Sequence, residues 1–414
     1  MKFRLSKTLA FLWTFLMLLL ILSCTKEDFS DANQNSFEED SFVSLKEAKA
    51  VVSEIQLLRD ERSSYPKKSD SRNVLVDQRK SIKNTISIED DNGHDAFHII
   101  NFTTGGFIII SGDNRTAPVL AFSDRSNFPL DSESYPNGLV GWLVSAKQHV
   151  EQLRKTGEEQ NAAIAAAWET NSIASTIYNI PPEDVDDGFP CGPPNSVVYG
   201  PFMETTWSQG VGYNNLVPIT GCSNYSNGRA PTGCVATAMA QIMKYHEYPN
   251  SYNWNLMPNS YGTSETSQLM VDIGYAVDMD YSCNGSGANT ENKAPSAFKN
   301  TFGYQSANYA DFNTSTVANE LKNGRPVILT GGSKGGWWIF PIYKDGHAWV
   351  CDGYRRGTVH SPGCEMSWDI SYLHMNWGWG SGHNMDGWYT PYDWSPGDNS
   401  FNYDRGMVFN IKPQ

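Results

Sequence analysis

The alternation of apolar and polar stretches divides the first part of the chain into a leader, a tether and a folded region. Residues 1–23 open with three basic side chains and continue as an almost wholly apolar run of 16 residues. This pattern is typical of an export signal and is short for a permanent membrane span. Residues 24–42 are rich in Asp, Glu, Asn and Ser and predict a flexible tether. Apolar side chains then recur at spacings of three and four over residues 43–58, which predicts a helix.

A strand meander is predicted next. Residues 97–122 contain three apolar runs rich in β-branched side chains, separated by Thr-Thr-Gly-Gly and Gly-Asp-Asn. Apolar runs separated by such turn residues predict β-hairpins. Helical spacing returns over residues 139–153, and residues 162–168 favour a further short helix. We therefore expect residues 43–187 to form a small α+β domain, and none of its titratable residues is arranged for catalysis.

A linker is predicted at residues 188–195, because Gly-Phe-Pro-Cys-Gly-Pro-Pro can sustain neither a helix nor a strand. Three of the 13 tryptophans precede residue 196 and ten follow it, which marks 196–414 as a second domain. Residues 25–195 carry a net charge of −12 and residues 196–414 carry −5, so contact between the two parts should be mainly apolar. The total of −14, with no basic run after the leader, argues against nucleic acid as a partner.

The second half contains a cysteine placed for nucleophilic chemistry. The sequence Pro-Thr-Gly-Cys at 231–234 opens a predicted helix that runs to about residue 247 and is stopped by Pro249. At a helix N-terminus, unpaired backbone N–H groups and the positive end of the helix dipole stabilise a thiolate and can hold an oxyanion. Cys234 is therefore a candidate nucleophile, although a lone cysteine at such a position is more often a small buried hydrophobe.

Two further motifs supply the partners that a thiolate needs. His347 begins a predicted apolar strand in Gly-His-Ala-Trp-Val, and Asn376 lies in Asn-Trp-Gly-Trp-Gly. A nucleophilic thiol requires an imidazole to share its proton, and the imidazole requires a partner that holds its tautomer. Cys234, His347 and Asn376 form a coherent set in that order.

Other histidines and cysteines allow alternatives. Four histidines compete for the catalytic role, but none combines a strand start with a flanking glycine: His246, which we expect at the surface, His360, His374 and His383. Neither Cys-x-x-Cys nor His-Glu-x-x-His occurs, so we expect no metal and no cofactor. Besides Cys24 and Cys234, five cysteines remain in an exported chain: Cys191, Cys222, Cys283, Cys351 and Cys364. Cys191 in the linker is the expected single cysteine, which leaves three possible pairings of the other four.

These motifs resemble those of the streptopain family of papain-like cysteine peptidases. The resemblance is carried by residues 233–249, 346–350 and 376–380 and extends over about 201–413. It implies a papain-like α+β catalytic domain. The N-terminal half, through Gly-Gly-Phe-Ile-Ile-Ile-Ser-Gly-Asp at 105–113, is similar to the inhibitory propeptide of that family, which implies a secreted zymogen that acts on protein or peptide substrates.

The resemblance also implies roles for individual residues. Cys234 would be the nucleophile and His347 the general base and then the general acid. Asn376, with Trp377 packed beside it, would orient the imidazole. Trp-Ser-Gln at 207–209 resembles the segment that donates the oxyanion-hole glutamine, so Gln209 would act with the backbone N–H of Cys234 on the tetrahedral intermediate.

The end of the leader, Ile-Leu-Ser-Cys at 21–24, resembles the lipobox of bacterial lipoproteins, in which Cys24 would be diacylated and become the mature N-terminus. This implies a membrane partner through the lipid and a location at the outer membrane or cell surface, from which the catalytic domain could be released.

The sequence thus predicts a lipid-anchored cysteine endopeptidase made as a zymogen. Another acyl transfer, by an amidase or a transglutaminase, would use the same residues. An inactive surface-binding protein on the same scaffold is the alternative from another class.

Overall fold

The structure is a computed structural model that describes residues 40–63, 80–132, 135–169, 196–331, 346–361, 364–381, 385–391 and 405–414. The leader with Cys24, most of the tether, the linker at 188–195 and His383 lie outside the described residues. Residues 43–414 belong to one compact unit. No helix among the described residues is long and apolar enough to cross a membrane.

The part of the N-terminal half that the structure describes consists of three helices and four strands, in the order α1, β1 to β4, α2 and α3. They are α1 (Leu45–Ser63), β1 (Ile82–Glu89), β2 (Asp95–Phe102), β3 (Phe107–Ser111), β4 (Val119–Ser123), α2 (Asn137–Thr156) and α3 (Ala162–Trp168). The predicted meander and the three predicted helices are confirmed. Strand β1 was not predicted, because its partly exposed, polar-rich sequence lacks a strong apolar run.

The described part of the catalytic half continues with four helices and seven strands. Its helices are α4 (Cys234–His246), α5 (Ser264–Ala276), α6 (Thr290–Ser296), followed by a π-turn at Ala297–Thr301, and α7 (Thr314–Lys322). Its strands are β5 (Val197–Tyr199), β6 (Ser306–Asp311), β7 (Val327–Gly331), β8 (His347–His360), β9 (Ser367–Asn376), β10 (Gly387–Tyr389) and β11 (Gly406–Lys412). The predictions of a helix that begins at Cys234 and a strand that begins at His347 are confirmed.

One antiparallel sheet joins the two halves. Its strand order is β1-β2-β3-β4-β10-β9-β8-β7-β11-β6, with β5 added alongside β8. The seam lies between β4 and β10, where Phe122 is opposite Trp388 and Ala121 is opposite Tyr389. Two apolar clusters draw residues from both halves, so the contact is largely apolar, as expected from the two negative charges.

A buried ionic cluster fastens α2 to the meander. Arg154 of α2 donates from Nη1 to Asp90 at 2.8 Å and from Nε to Asp113 at 3.0 Å, and both carboxylates are fully buried. Burial raises the pKa of Asp90, but the hydrogen bonds from the His94 amide and from Arg154 outweigh it and lower the pKa overall. Because buried charges are costly unless paired and hydrogen-bonded, this cluster sets the position of α2 on the sheet.

The structure resolves part of the disulfide question. Cys222 and Cys283 form a disulfide, with their Cα atoms 5.2 Å apart. Cys364 is also disulfide-bonded, whereas Cys351 is a free thiol. The expectation that Cys351 is paired is therefore wrong: it is fully buried within β8, in the sheet core. Cys191 lies outside the described residues.

Candidate active site

Cys234 is the first residue of α4 and is almost completely buried. The preceding Gly233 has φ of 89°, and a Cβ there would lie 2.6 Å from Sδ of Met279, so the turn into the helix requires glycine. The amide of Ala348 donates to Sγ of Cys234 at 3.4 Å. Burial raises the pKa of the Cys234 thiol, and the hydrogen bonds from Ala348 and from the first amides of the helix oppose that shift.

His347 directly precedes Ala348 on β8, so its backbone adjoins the residue whose amide contacts Sγ of Cys234. Its Nε2 is 3.3 Å from the carbonyl oxygen of Trp377, and its ring is stacked with Trp349 at 6.1 Å. A carbonyl can only accept, so Nε2 carries the proton and the lone pair is at Nδ1. Burial lowers the pKa of His347 to about 4.

Asn376 ends β9 and is fixed by three hydrogen bonds. Its Oδ1 accepts from Nε2 of Gln241 at 3.1 Å and from the amide of Gly378 at 3.2 Å, and its Nδ2 donates to the carbonyl of Thr205 at 2.8 Å. The carbonyl that holds the imidazole belongs to the following residue, Trp377. Asn376 is therefore connected to His347 through the backbone of the strand end.

Gln241 and Thr205 were missed by the sequence reasoning. Gln241 lies two helical turns after Cys234, is fully buried, and accepts at Oε1 from the hydroxyl of Thr205 at 2.9 Å. A glutamine on the apolar face of the Cys234 helix was the available signal, because a buried polar side chain needs partners.

Gln209 is brought to the same end of α4. Its carbonyl accepts from the amide of Thr232 at 3.0 Å, two residues before Cys234. Trp207, fully buried, anchors the segment by donating from its indole to the carbonyl of Pro258 at 2.8 Å. The segment thus runs alongside the helix N-terminus.

The first turn of α2 covers the tryptophans beside His347. Trp349 and Trp377 lie with ring centroids 5.1 Å apart. A Cβ at Gly138 would be 2.7 Å from Trp349 and 2.9 Å from Trp377, so the helix backbone lies directly on both rings. The N-terminal half therefore covers the tryptophans next to His347.

The competing histidines have other surroundings. His246, expected at the surface, is half-buried with Nδ1 3.2 Å from the hydroxyl of Tyr304, and burial lowers its pKa to about 4. His374 pairs with Asp352 at 2.6 Å, and His360 ends β8, far from His347. Within the described ranges, no three His, Cys, Asp or Glu side chains cluster so as to hold a metal ion.

Known proteins match both halves of the chain. Residues 207–253 and 250–389 match the Peptidase C10 family, and residues 40–150 match the Spi protease inhibitor family. Streptopain from Streptococcus pyogenes serotype M28 (strain MGAS6180) is 27% identical over 373 residues, covering 76% of this chain and 80% of streptopain. The thiol protease/hemagglutinin PrtT of Porphyromonas gingivalis is 26% identical over 354 residues, covering 74% of this chain and 36% of that protein.

A solved structure shares the fold. A fragment of Prevotella intermedia prointerpain A, residues 39–359, aligns with a TM-score of 0.54 at 24% identity, covering 81% of this chain and 100% of the fragment. The fold and the matches define a papain-like cysteine peptidase with an inhibitory propeptide domain, as predicted. The chain belongs to the Peptidase C10 family, which is streptopain-like, and carries a Spi protease inhibitor domain ahead of the catalytic part.

Replacement of Gln241 by Met should lower kcat by roughly tenfold and leave KM little changed. The apolar side chain keeps the length but removes both hydrogen bonds, and an unsatisfied buried polar group costs about 1–3 kcal/mol. Met243→Leu, a buried apolar exchange on the same helix, is the control and should retain activity. Steady-state kinetics of the two variants make the comparison, and equal kcat values would exclude a role for Gln241 in holding Asn376.

Proposed function

We propose that this cysteine peptidase is an exported, lipid-anchored endopeptidase made as a zymogen, with a Cys-His-Asn site formed by Cys234, His347 and Asn376. The observation that supports it most is the arrangement at the start of β8. The Ala348 amide contacts Sγ of Cys234, while the adjacent His347 is held by the Trp377 carbonyl. Both contacts lie at the start of β8, which supports a thiol–imidazole pair at that end of the sheet.

The proposed reaction begins with transfer of the Cys234 proton to Nδ1 of His347. The thiolate then adds to the carbonyl carbon of the scissile bond, and the oxyanion accepts hydrogen bonds from the Cys234 amide and the side chain of Gln209. The imidazolium protonates the leaving amine as the C–N bond breaks. Water, deprotonated by the same imidazole, hydrolyses the thioester and regenerates the thiol.

Asn376 contributes to this scheme by fixing the strand end. Its hydrogen bonds to Thr205, Gln241 and Gly378 hold the backbone on both sides of Trp377. The Trp377 carbonyl then keeps the imidazole in the tautomer whose Nδ1 accepts a proton.

Replacement of Cys234 by Ala should abolish peptide hydrolysis and leave the chain at full precursor length. Cys351→Ala, which removes the other free thiol among the described residues, should retain most of the activity because that side chain is sealed in the sheet core. Casein digestion and gel analysis of the precursor give the two readouts. Hydrolysis by the Cys234 variant would contradict the assignment, and its maturation alone would mean that another protease activates the chain.

Replacement of Gly138 by Leu tests the propeptide contact. It should weaken inhibition by the propeptide and speed maturation of the precursor. Even the Cβ would lie within 3 Å of two tryptophans, and leucine favours a helix more than glycine does, so a loss of inhibition must come from the contact. Overpacking of this kind costs about 1–3 kcal/mol, which corresponds to roughly fivefold or more dissociated propeptide in the precursor. Gln148→Leu, at an exposed position of α2, is the control. Equal rates of maturation in the two variants would argue against inhibition through this helix turn.

Lipid anchoring through Cys24 is the remaining part of the proposal, supported by the Ile-Leu-Ser-Cys sequence after an apolar leader. Cys24→Ser should move the exported protein from the detergent phase to the aqueous phase in Triton X-114 partitioning, because the acyl chains are lost. An unchanged partition would mean that the anchor is not attached there.

A further inference from the structure

Strand β4 of the propeptide occupies a strand-binding edge of the catalytic half. Besides the β4–β10 ladder, the Thr390 amide donates to the Leu120 carbonyl at 3.0 Å. The hydroxyl of Tyr372 donates to the Val119 carbonyl at 3.0 Å. The edge therefore binds an extended backbone through groups that do not depend on the sequence of the bound strand.

A side-chain slot accompanies this edge. Phe122 of β4 is 2% exposed and meets the ring of Tyr372 edge-on at 5.3 Å. The guanidinium of Arg355 lies 5.3 Å from the Phe122 centroid and 4.8 Å from that of Trp388. The slot of Arg355, Tyr372 and Trp388 is thus suited to a flat aromatic side chain.

The edge and the slot belong to the catalytic half itself. Strand β10 is also paired with β9, another strand of the catalytic half, through Gly387, Trp388 and Tyr389. Asp386, just before β10, accepts from the Trp377 amide at 2.8 Å, which ties the edge to the active-site strand end. When the propeptide leaves, this edge loses its partner and becomes accessible.

The direction of β4 relates the edge to the active site. Because β4 and β9 are both antiparallel to β10, they run in the same direction, and β9 ends at Asn376. Fifteen residues after Ser123 at the end of β4, Gly138 lies on the tryptophans beside His347. A strand on this edge therefore sends its C-terminal continuation toward the catalytic residues.

We propose that the mature enzyme uses the β10 edge and the slot of Arg355, Tyr372 and Trp388 as a second substrate-binding site. Its ligand is an extended segment of the protein substrate that carries an aromatic residue and lies N-terminal to the scissile bond. The chain direction favours a substrate over any other occupant, since it connects the bound strand to the cleavage site. The inference rests on the proposed peptidase zymogen.

Matched peptides test the site on enzyme matured from the full-length chain. A fluorogenic core peptide carries the N-terminal extension Val-Leu-Ala-Phe-Ser, joined through a flexible linker of about 15 residues, as many as lead from Ser123 to Gly138 in the propeptide. A second peptide has Ala in place of Phe. The Phe peptide should have a KM about tenfold lower than the Ala peptide, at equal kcat, because a buried aromatic anchor dominates such interfaces. The same extension at the C-terminus of the core should give no gain.

Two variants locate the effect. Arg355→Met should abolish the advantage of the Phe peptide, whereas Arg356→Met, which removes the neighbouring partly exposed guanidinium, should retain it. Both variants should cleave the unextended core at the wild-type rate, which shows that they are folded. Tyr372→Phe, which removes only the hydroxyl bound to Val119, should weaken binding of both extended peptides.

The failures are distinguishable. If wild-type enzyme does not cleave the core, the proposed function fails and the second site fails with it. If the core is cleaved and the Phe and Ala peptides have equal KM, only the second site is overturned. The second site would also be overturned if the Phe peptide kept its lower KM in Arg355→Met, or if the C-terminal extension lowered KM. A KM that rises with enzyme concentration would overturn it too, because a second copy of the enzyme would then occupy the edge.

Discussion

Burial of the thiol and the imidazole is the constraint on which the state of the active site depends. Burial raises the pKa of the Cys234 thiol and lowers the pKa of the His347 imidazole to about 4. Both groups are therefore neutral near pH 7 in the precursor. A thiolate–imidazolium pair requires that water or substrate reach both groups, since charged groups are disfavoured where solvent is excluded.

The N-terminal half is held on the catalytic half by the shared sheet and by the packing of α2. The sheet continues from β4 to β10, so the propeptide adds a strand to the catalytic domain. Arg154 and its two buried carboxylates fix α2 on the meander, and the Gly138 backbone then rests on Trp349 and Trp377. Because the ionic cluster lies wholly in the N-terminal half, its role is to shape the inhibitor rather than to attract the catalytic domain.

Elements with strong local signals were predictable from the sequence. The Cys234 helix was predicted because glycine precedes its first residue and Pro249 follows its end. The start of β8 was predicted because an apolar run follows Gly346. The sequence also identified Cys234 and His347 as candidate catalytic residues. It could not show that Gln241 and Thr205 hold Asn376, because that network joins residues from 205 to 376 that only the fold brings together. For the same reason it could not show that Cys351 is sealed in the sheet, since burial in a core depends on long-range packing.

We propose that the propeptide keeps Cys234 and His347 in their neutral forms. This proposal is tested by the pH dependence of iodoacetamide alkylation at Cys234, measured in the precursor and in the mature enzyme. The two forms are separated by gel, and the labelled peptides are quantified by mass spectrometry. Cys351 is the internal reference for a buried thiol. We expect Cys234 of the precursor to react only at alkaline pH, and Cys234 of the mature enzyme to react rapidly from mildly acidic pH upward, as a thiolate–imidazolium pair does. Identical pH profiles before and after maturation would contradict this proposal.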